Sequence, residues 1–218
     1  MTFAAARLTM VENQLRTFDV SAPAVLAAFG SVPREVFLPE RLHALAYADR
    51  AVMLPGNPGR SMLAPMILAR MMQAAEVSSS DHVLDVGCAA GYSSVIFGLI
   101  AASVVGIEAD AALVSAAAAA AKTAGTGNVS FAAGGLAGGH AAKAPYSLIF
   151  LNGAAAVPPE GLAAQLKEAG RLVYIAGEGQ AGRVTILRKS GDSLSSKGLF
   201  DASAPVLDGF ARKAEFVF

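Results

Sequence analysis

The segment Val83–Ser94, VLDVGCAAGYSS, narrows the possible folds of this chain more than any other. An apolar run ends in an Asp-x-Gly-x-x-x-Gly arrangement made by Asp85, Gly87 and Gly91, and a second apolar run ends about twenty residues later at Glu108. Glycines at a strand-to-helix turn let backbone approach a ligand where a Cβ would collide. A carboxylate at the end of the following strand is placed to take both hydroxyls of a ribose. Together these features point to a nucleoside pocket at the carboxyl edge of a parallel sheet.

The glycine spacing selects among nucleosides. A dinucleotide site uses Gly-x-Gly-x-x-Gly, so that a pyrophosphate can lie on the helix N-terminus. Here Ala89 stands at the middle glycine position, and the acidic Asp85 sits two residues before Gly87. A carboxylate there repels pyrophosphate and suits a cation. S-adenosylmethionine carries a sulfonium and an amino group and no phosphate, so the spacing favours it over a nicotinamide dinucleotide. A dehydrogenase is correspondingly disfavoured.

Composition removes several classes. Lys+Arg and Asp+Glu both number 17, so no net charge invites nucleic acid. The chain is 54% hydrophobic with a mean hydropathy of +0.50, and Val86–Ile107 is uncharged over about the length of a spanning helix. Four glycines and three serines break that stretch, and its flanks Asp85 and Glu108 are acidic, which fits strand, loop, helix and strand better than a membrane span. The single cysteine, Cys88, excludes an internal disulfide, and His43, His82 and His140 have no metal-ligand spacing. A small buried loop residue is the simplest role for Cys88. The composition suits a cytoplasmic enzyme or binding protein.

From residue 77 onward, strands alternate with helices: strands over 82–87, 103–109, 129–133, 146–152 and 170–177, and helices over 92–101 and from Asp110 through the alanine run. Pro158 and Pro159 begin a helix that includes Leu162, Leu166 and Lys167. Strands over 183–189, 194–201 and 214–218 follow without helices between them, which implies an antiparallel edge hairpin. The expected fold is α/β: a mostly parallel, doubly wound, Rossmann-like sheet. Residues 1–76 read instead as a helical cap, with helices over 4–16, 19–29, 41–47 and 61–75, lying against the 77–218 domain in one unit.

Several segments, taken in order, resemble the protein-L-isoaspartate O-methyltransferase family: MVENQLR at Met10–Arg16, VPRE at Val32–Glu35, AYADR at Ala46–Arg50, the glycine loop, VVGIEAD and LKEAGRLVYIAGEG. The resemblance implies an S-adenosylmethionine-dependent methyltransferase fold. It also implies methyl transfer to the carboxylate of isoaspartyl residues in damaged proteins, with S-adenosyl-L-homocysteine as product. Its cofactor contacts map onto Asp85, Gly87, Cys88, Ala89 and Gly91 in the loop, Glu108 and Ala109 at the ribose, and Gly135 and Leu136 at the adenine. The partner it implies is a peptide or protein bearing an acidic acceptor group. A carboxylate with a reference pKa of about 4 is already ionised at neutral pH, so such chemistry calls for alignment and desolvation rather than a general base.

Two positions depart from the family pattern. The acceptor segment reads Arg60-Ser61-Met62-Leu63-Ala64-Pro65, with a hydroxyl at Ser61 and none at Leu63. Gly135 stands where an acid accepts from the adenine amino group, a charge-assisted bond of about 1.5–3 kcal/mol. The expected catalytic pair is therefore Arg60 and Ser61, with the Arg60 guanidinium gripping a carboxylate. A different methyl acceptor and a non-catalytic cofactor-binding role remain as alternatives.

Overall fold

The computed structural model describes residues 2–57, 59–179 and 181–212. In chain order they form α1 (Phe3–Met10), α2 (Pro23–Ser31), β1 (Val52–Met53), β2 (Ser61–Met62), α3 (Pro65–Ala74), β3 (His82–Val86), α4 (Tyr92–Gly98), β4 (Ser103–Glu108), α5 (Ala111–Thr123), β5 (Val129–Ala133), β6 (Tyr146–Ala155), α6 (Glu160–Ala163), β7 (Leu166–Ala176), β8 (Arg183–Ser190) and β9 (Ser193–Asp201).

Seven strands make the main sheet in the order β5-β4-β3-β6-β7-β8-β9. The first five are parallel, while β7–β8 and β8–β9 are antiparallel, so the edge hairpin is present. β3 and β6 are nearly continuous apolar runs because helices and cap cover both faces of the sheet. Chain order reverses between β3 and β6: β4 and β5 lie on one side of β3, and β6 and β7 on the other. A ligand crevice forms at such a switch point, outside the carboxyl ends of the strands. Gly87 leaves β3 there, and Asn152 lies on β6 beside it.

Side chains from α1, α2 and α3 pack in one hydrophobic cluster with Phe97 of α4 and with Val83, Leu148 and Val173 of the sheet. Met71 and Met72 are fully buried in it. The join is also polar. Arg171 on β7 clamps Asp81 through Nη2 at 2.7 Å and Nη1 at 3.0 Å, and it donates to the carbonyls of Ala75 and Glu76 where α3 ends.

Some elements differ from the sequence expectation. α1 ends at Met10 and continues as a π-helical turn over Val11–Leu15. α2 begins at Pro23, because Asp19 adopts a left-handed φ of 64°. Residues 40–45 make 3-10 turns. Ser61 and Met62 are extended and pair with Val52 and Met53, so α3 starts only at Pro65, whose missing N–H suits a first helical position. Leu166 pairs with Tyr146 and opens β7, which leaves α6 a single turn. The strand expected over 214–218 lies outside the described residues. Among the described residues, no helix is long and apolar enough to cross a membrane.

Candidate active site

The loop after β3 is built by backbone geometry. Gly87 and Gly91 have φ of 71° and 90°, and Ala89 joins them at 51°. At Gly91 a Cβ would lie 2.8 Å from the Ala117 Cβ and 3.2 Å from its Cα. Glycine in the loop and alanine on α5 together allow this approach. Gly87 and Cys88 both donate to the Ile107 carbonyl, at 2.9 and 3.2 Å.

Glu108, at the end of β4, fixes the loop from below. Its side chain is fully buried. Oε2 accepts from the Ala89 amide at 3.0 Å, offsetting the strain of a left-handed alanine. Oε1 accepts from the Ala109 amide at 2.7 Å and from Arg60 Nε at 2.9 Å. Arg60, itself 4% exposed, reaches on to Asp208 Oδ2 at 3.1 Å, whose side chain is 81% exposed. The 205–208 segment covers the same crevice. Leu207 is buried with its amide on the Ala154 carbonyl, and a Cβ at Gly87 or Gly153 would fall 2.8 or 2.6 Å from its side chain.

Asp85 lies beneath the loop, fully buried. Oδ2 accepts from the Ser93 and Ser94 hydroxyls of α4, both at 2.6 Å, while Oδ1 has no partner among the described residues. Ser93 in turn accepts from Asn152 Nδ2, which ties β3, α4 and β6 together at the crevice. Burial, reinforced by the nearby Glu108 charge, raises the Asp85 carboxyl to about 6 against the two serine bonds. Burial, then Asp85 and Glu108, push the Cys88 thiol well above its ordinary range, so it is no thiolate nucleophile.

Beyond β5, the Gly134 amide donates to the Glu108 carbonyl at 3.0 Å, and Leu136 is buried. Gly135 and Ala109 are exposed at the rim. On the cap side of the loop, Ser61, Leu63, Cys88, Ala89, Asn152 and Arg34 help line a cavity of about 10 Å³. A larger hollow of about 250 Å³ behind the loop, between Phe37, Leu54 and α5, is walled by apolar residues.

The structure thus brings Asp85, Gly87, Cys88, Ala89, Gly91, Glu108 and Ala109 to one sheet edge, with Gly135 and Leu136 beside them. It separates Arg60 from Ser61: the hydroxyl belongs to the small cavity, the guanidinium to Glu108 and Asp208. His82 is far from this edge in role, held by Ser103 Oγ and the Lys143 carbonyl. Among the described residues, no three His, Cys, Asp or Glu side chains gather as for a metal. Two polar residues of the site went unweighted in the sequence, Asn152 and Arg34. Asn152 had a signal, an amide closing an apolar strand at the carboxyl edge, whereas Arg34, followed directly by Glu35, had none beyond its place in the VPRE segment.

A parallel sheet with this crevice, glycine loop and strand-end glutamate defines the Rossmann-like methyltransferase class. A family model described as protein-L-isoaspartate(D-aspartate) O-methyltransferase matches residues 6–202. Protein-L-isoaspartate O-methyltransferase 1 of Rhodopseudomonas palustris is 38% identical over 92% of this chain and 82% of its own length. The Roseiflexus castenholzii protein-L-isoaspartate O-methyltransferase is 34% identical over 99% of this chain and 98% of its own. Among solved structures, a protein-L-isoaspartate O-methyltransferase superposes with a TM-score of 0.81 at 20% identity, over 95% of this chain and 66% of that one. A Plasmodium falciparum homologue solved with S-adenosyl-L-homocysteine gives 0.78 at 18% identity, over 93% of this chain and 98% of that one. This chain belongs to the protein-L-isoaspartate(D-aspartate) O-methyltransferase family.

Proposed function

We propose that this chain is an S-adenosylmethionine-dependent O-methyltransferase that esterifies the carboxylate of isoaspartyl residues in proteins or peptides, a protein-repair reaction. The observation that carries the reading is Glu108 at the end of β4, one bond from the strained Ala89 of a glycine loop at the topological switch point. The donor set fits the cofactor. Glu108 offers a carboxylate to a ribose diol, the 87–91 backbone suits the methionyl portion, and Gly135 and Leu136 border the adenine. The bound cofactor supplies an electrophilic methyl group on a sulfonium.

The chain's own residues do the rest. Residues 1–76 form the acceptor-side cap, and residues 77–218 hold the cofactor. Ser61 and Asn152 border the acceptor cavity, where apolar Leu63 and Tyr92 strip water from an incoming carboxylate. Arg60 acts on the cofactor side: its guanidinium holds Oε1 of Glu108, the carboxylate that would receive the ribose hydroxyls. The neutral net charge and single cysteine are in keeping with a cytoplasmic protein that binds no nucleic acid.

Leu63, without a hydroxyl, favours a second reading in which the acceptor is another carboxylate. Two measurements decide. Calorimetry with S-adenosyl-L-homocysteine is expected to show one site per chain, and no heat at millimolar ligand rejects both readings. Labelled-methyl transfer to an isoaspartyl peptide, against its aspartyl isomer, is expected to favour the isoaspartyl form. Cofactor binding without transfer rejects the repair reading alone.

A further inference from the structure

Arg34 is a cation with no ion-pair partner among the described residues. It opens a 3-10 turn after Pro33 and is fully buried. Nη2 donates to the Leu63 carbonyl at 2.6 Å, while Nε and Nη1 have no partner among the described residues. The nearby charges are engaged elsewhere. Glu35 takes the Tyr47 hydroxyl, and Asp49 takes the Met66 amide at 3.0 Å. The guanidinium lies 4.8 Å from the Tyr92 ring centroid, and the Tyr92 hydroxyl is likewise without a partner. Burial draws the guanidinium pKa below its ordinary value, against weaker opposing effects of Tyr92, Tyr47 and Asp49.

A buried charge without an ion pair costs several kcal/mol. Folds keep such a group where something supplies the missing charge. Arg34 and Tyr92 border the same small cavity as Ser61 and Asn152, and about 10 Å³ admits one water-sized group. One carboxylate oxygen is that size. The free Nε and Nη1 groups lie on different edges of a planar guanidinium, and each can donate in a fixed direction, which a point cation on a flexible stem such as lysine does not reproduce.

We propose that Arg34 is the binding residue for the acceptor carboxylate, drawing one oxygen into the cavity beside Ser61 and supplying the polar contact that Leu63 lacks. This rests on the methyltransferase reading above. It assigns to Arg34 the grip that the sequence suggested for Arg60, and it leaves Arg60 to the cofactor side.

The test is in two arms. Arginine Nε–H resonances are followed by NMR in apo and S-adenosyl-L-homocysteine-loaded protein during titration with sodium acetate, with acetamide as neutral control. The Arg34 signal is identified by its loss in Arg34→Lys. It is expected to shift saturably with acetate and not with acetamide; absence of any acetate-dependent shift overturns the proposal. In the second arm, Arg34→Lys is expected to raise KM for the isoaspartyl peptide at least about tenfold, the scale of one charge-assisted hydrogen bond, with S-adenosyl-L-homocysteine affinity kept. Unchanged KM in a folded variant, or a loss confined to kcat, makes Arg34 a structural support only and overturns the proposal. If the wild-type protein methylates no isoaspartyl peptide, the repair reading fails while the acetate titration still decides Arg34.

Discussion

Arg60 Nε stands 2.9 Å from Glu108 Oε1, with both side chains buried. The pair places a cation from the cap on the carboxylate that the nucleoside reading assigns to ribose. Burial removes the screening that makes surface pairs weak, so the two side chains depend on each other. The same carboxylate also holds the Ala89 amide, which couples loop geometry to whatever occupies Oε1.

Arg60→Met is therefore expected to separate stability from affinity. It leaves Glu108 buried and unpaired, a loss of roughly 3–5 kcal/mol by analogy with broken buried pairs. It also removes the competitor of the ribose. Thermal melts should show a lower apo Tm than wild type, and a larger upward shift on adding S-adenosyl-L-homocysteine. Equal ligand-induced shifts in the two proteins rule out competition at Oε1.

Asp85 gives a pH dependence. Its carboxyl is raised to about 6 in the fold, above the roughly 3.9 of an unfolded aspartate. The native state thus holds this proton more tightly. Its contribution is fully present below about pH 4 and is lost as pH rises through about 6. Asp85→Asn cannot ionise, so its stability relative to wild type should improve by roughly 3 kcal/mol between pH 4 and pH 8. Urea titrations at those two pH values measure it; a pH-independent difference means Asp85 is not raised.

Much of the sheet was legible because buried parallel strands announce themselves as apolar runs, and glycine spacing with Glu108 marked the crevice. What escaped depended on tertiary pairing. Ser61 and Met62 look helical beside the Pro65 helix, yet they pair with Val52 and Met53. Leu166 falls in a helical rhythm, yet its place is set by Tyr146 across the sheet. The roles of charged residues were harder still. Nothing local distinguishes Arg60 as the partner of Glu108, 48 residues away. Arg34 looks like a surface charge until its surroundings are known.

Asp81 titrates in the opposite sense to Asp85. Burial would raise its carboxyl, but bonds from Arg171, with help from the Ser78 amide, lower it to about 2. A depressed carboxyl stabilises the fold above the unfolded value near pH 4, and that stabilisation is lost as pH falls through about 2. Asp81→Asn removes the counter-charge of buried Arg171, which keeps its carbonyl bonds, and is expected to cost roughly 3–5 kcal/mol at pH 7, with the difference from wild type shrinking in acid. Denaturant unfolding from pH 7 to pH 2 follows both effects.

Gly91 and Gly135 should respond oppositely to a side chain. At Gly91, φ is 90° and a Cβ would press to 2.8 Å from Ala117, so Gly91→Ala combines left-handed strain with a clash against α5. A loss on the order of 2–3 kcal/mol is expected, with loop disorder that weakens product binding. Gly135 has an extended φ of −66°, and a Cβ there would meet nothing within 4 Å. Nothing steric demands glycine, so Gly135→Asp should fold with near wild-type Tm. It places a carboxylate at the proposed adenine edge, and one charge-assisted hydrogen bond is worth about 1.5–3 kcal/mol. Calorimetry is expected to show S-adenosyl-L-homocysteine affinity increased at least about tenfold in Gly135→Asp. Unchanged affinity would place the adenine away from Gly135 and require the cofactor pose to be redrawn.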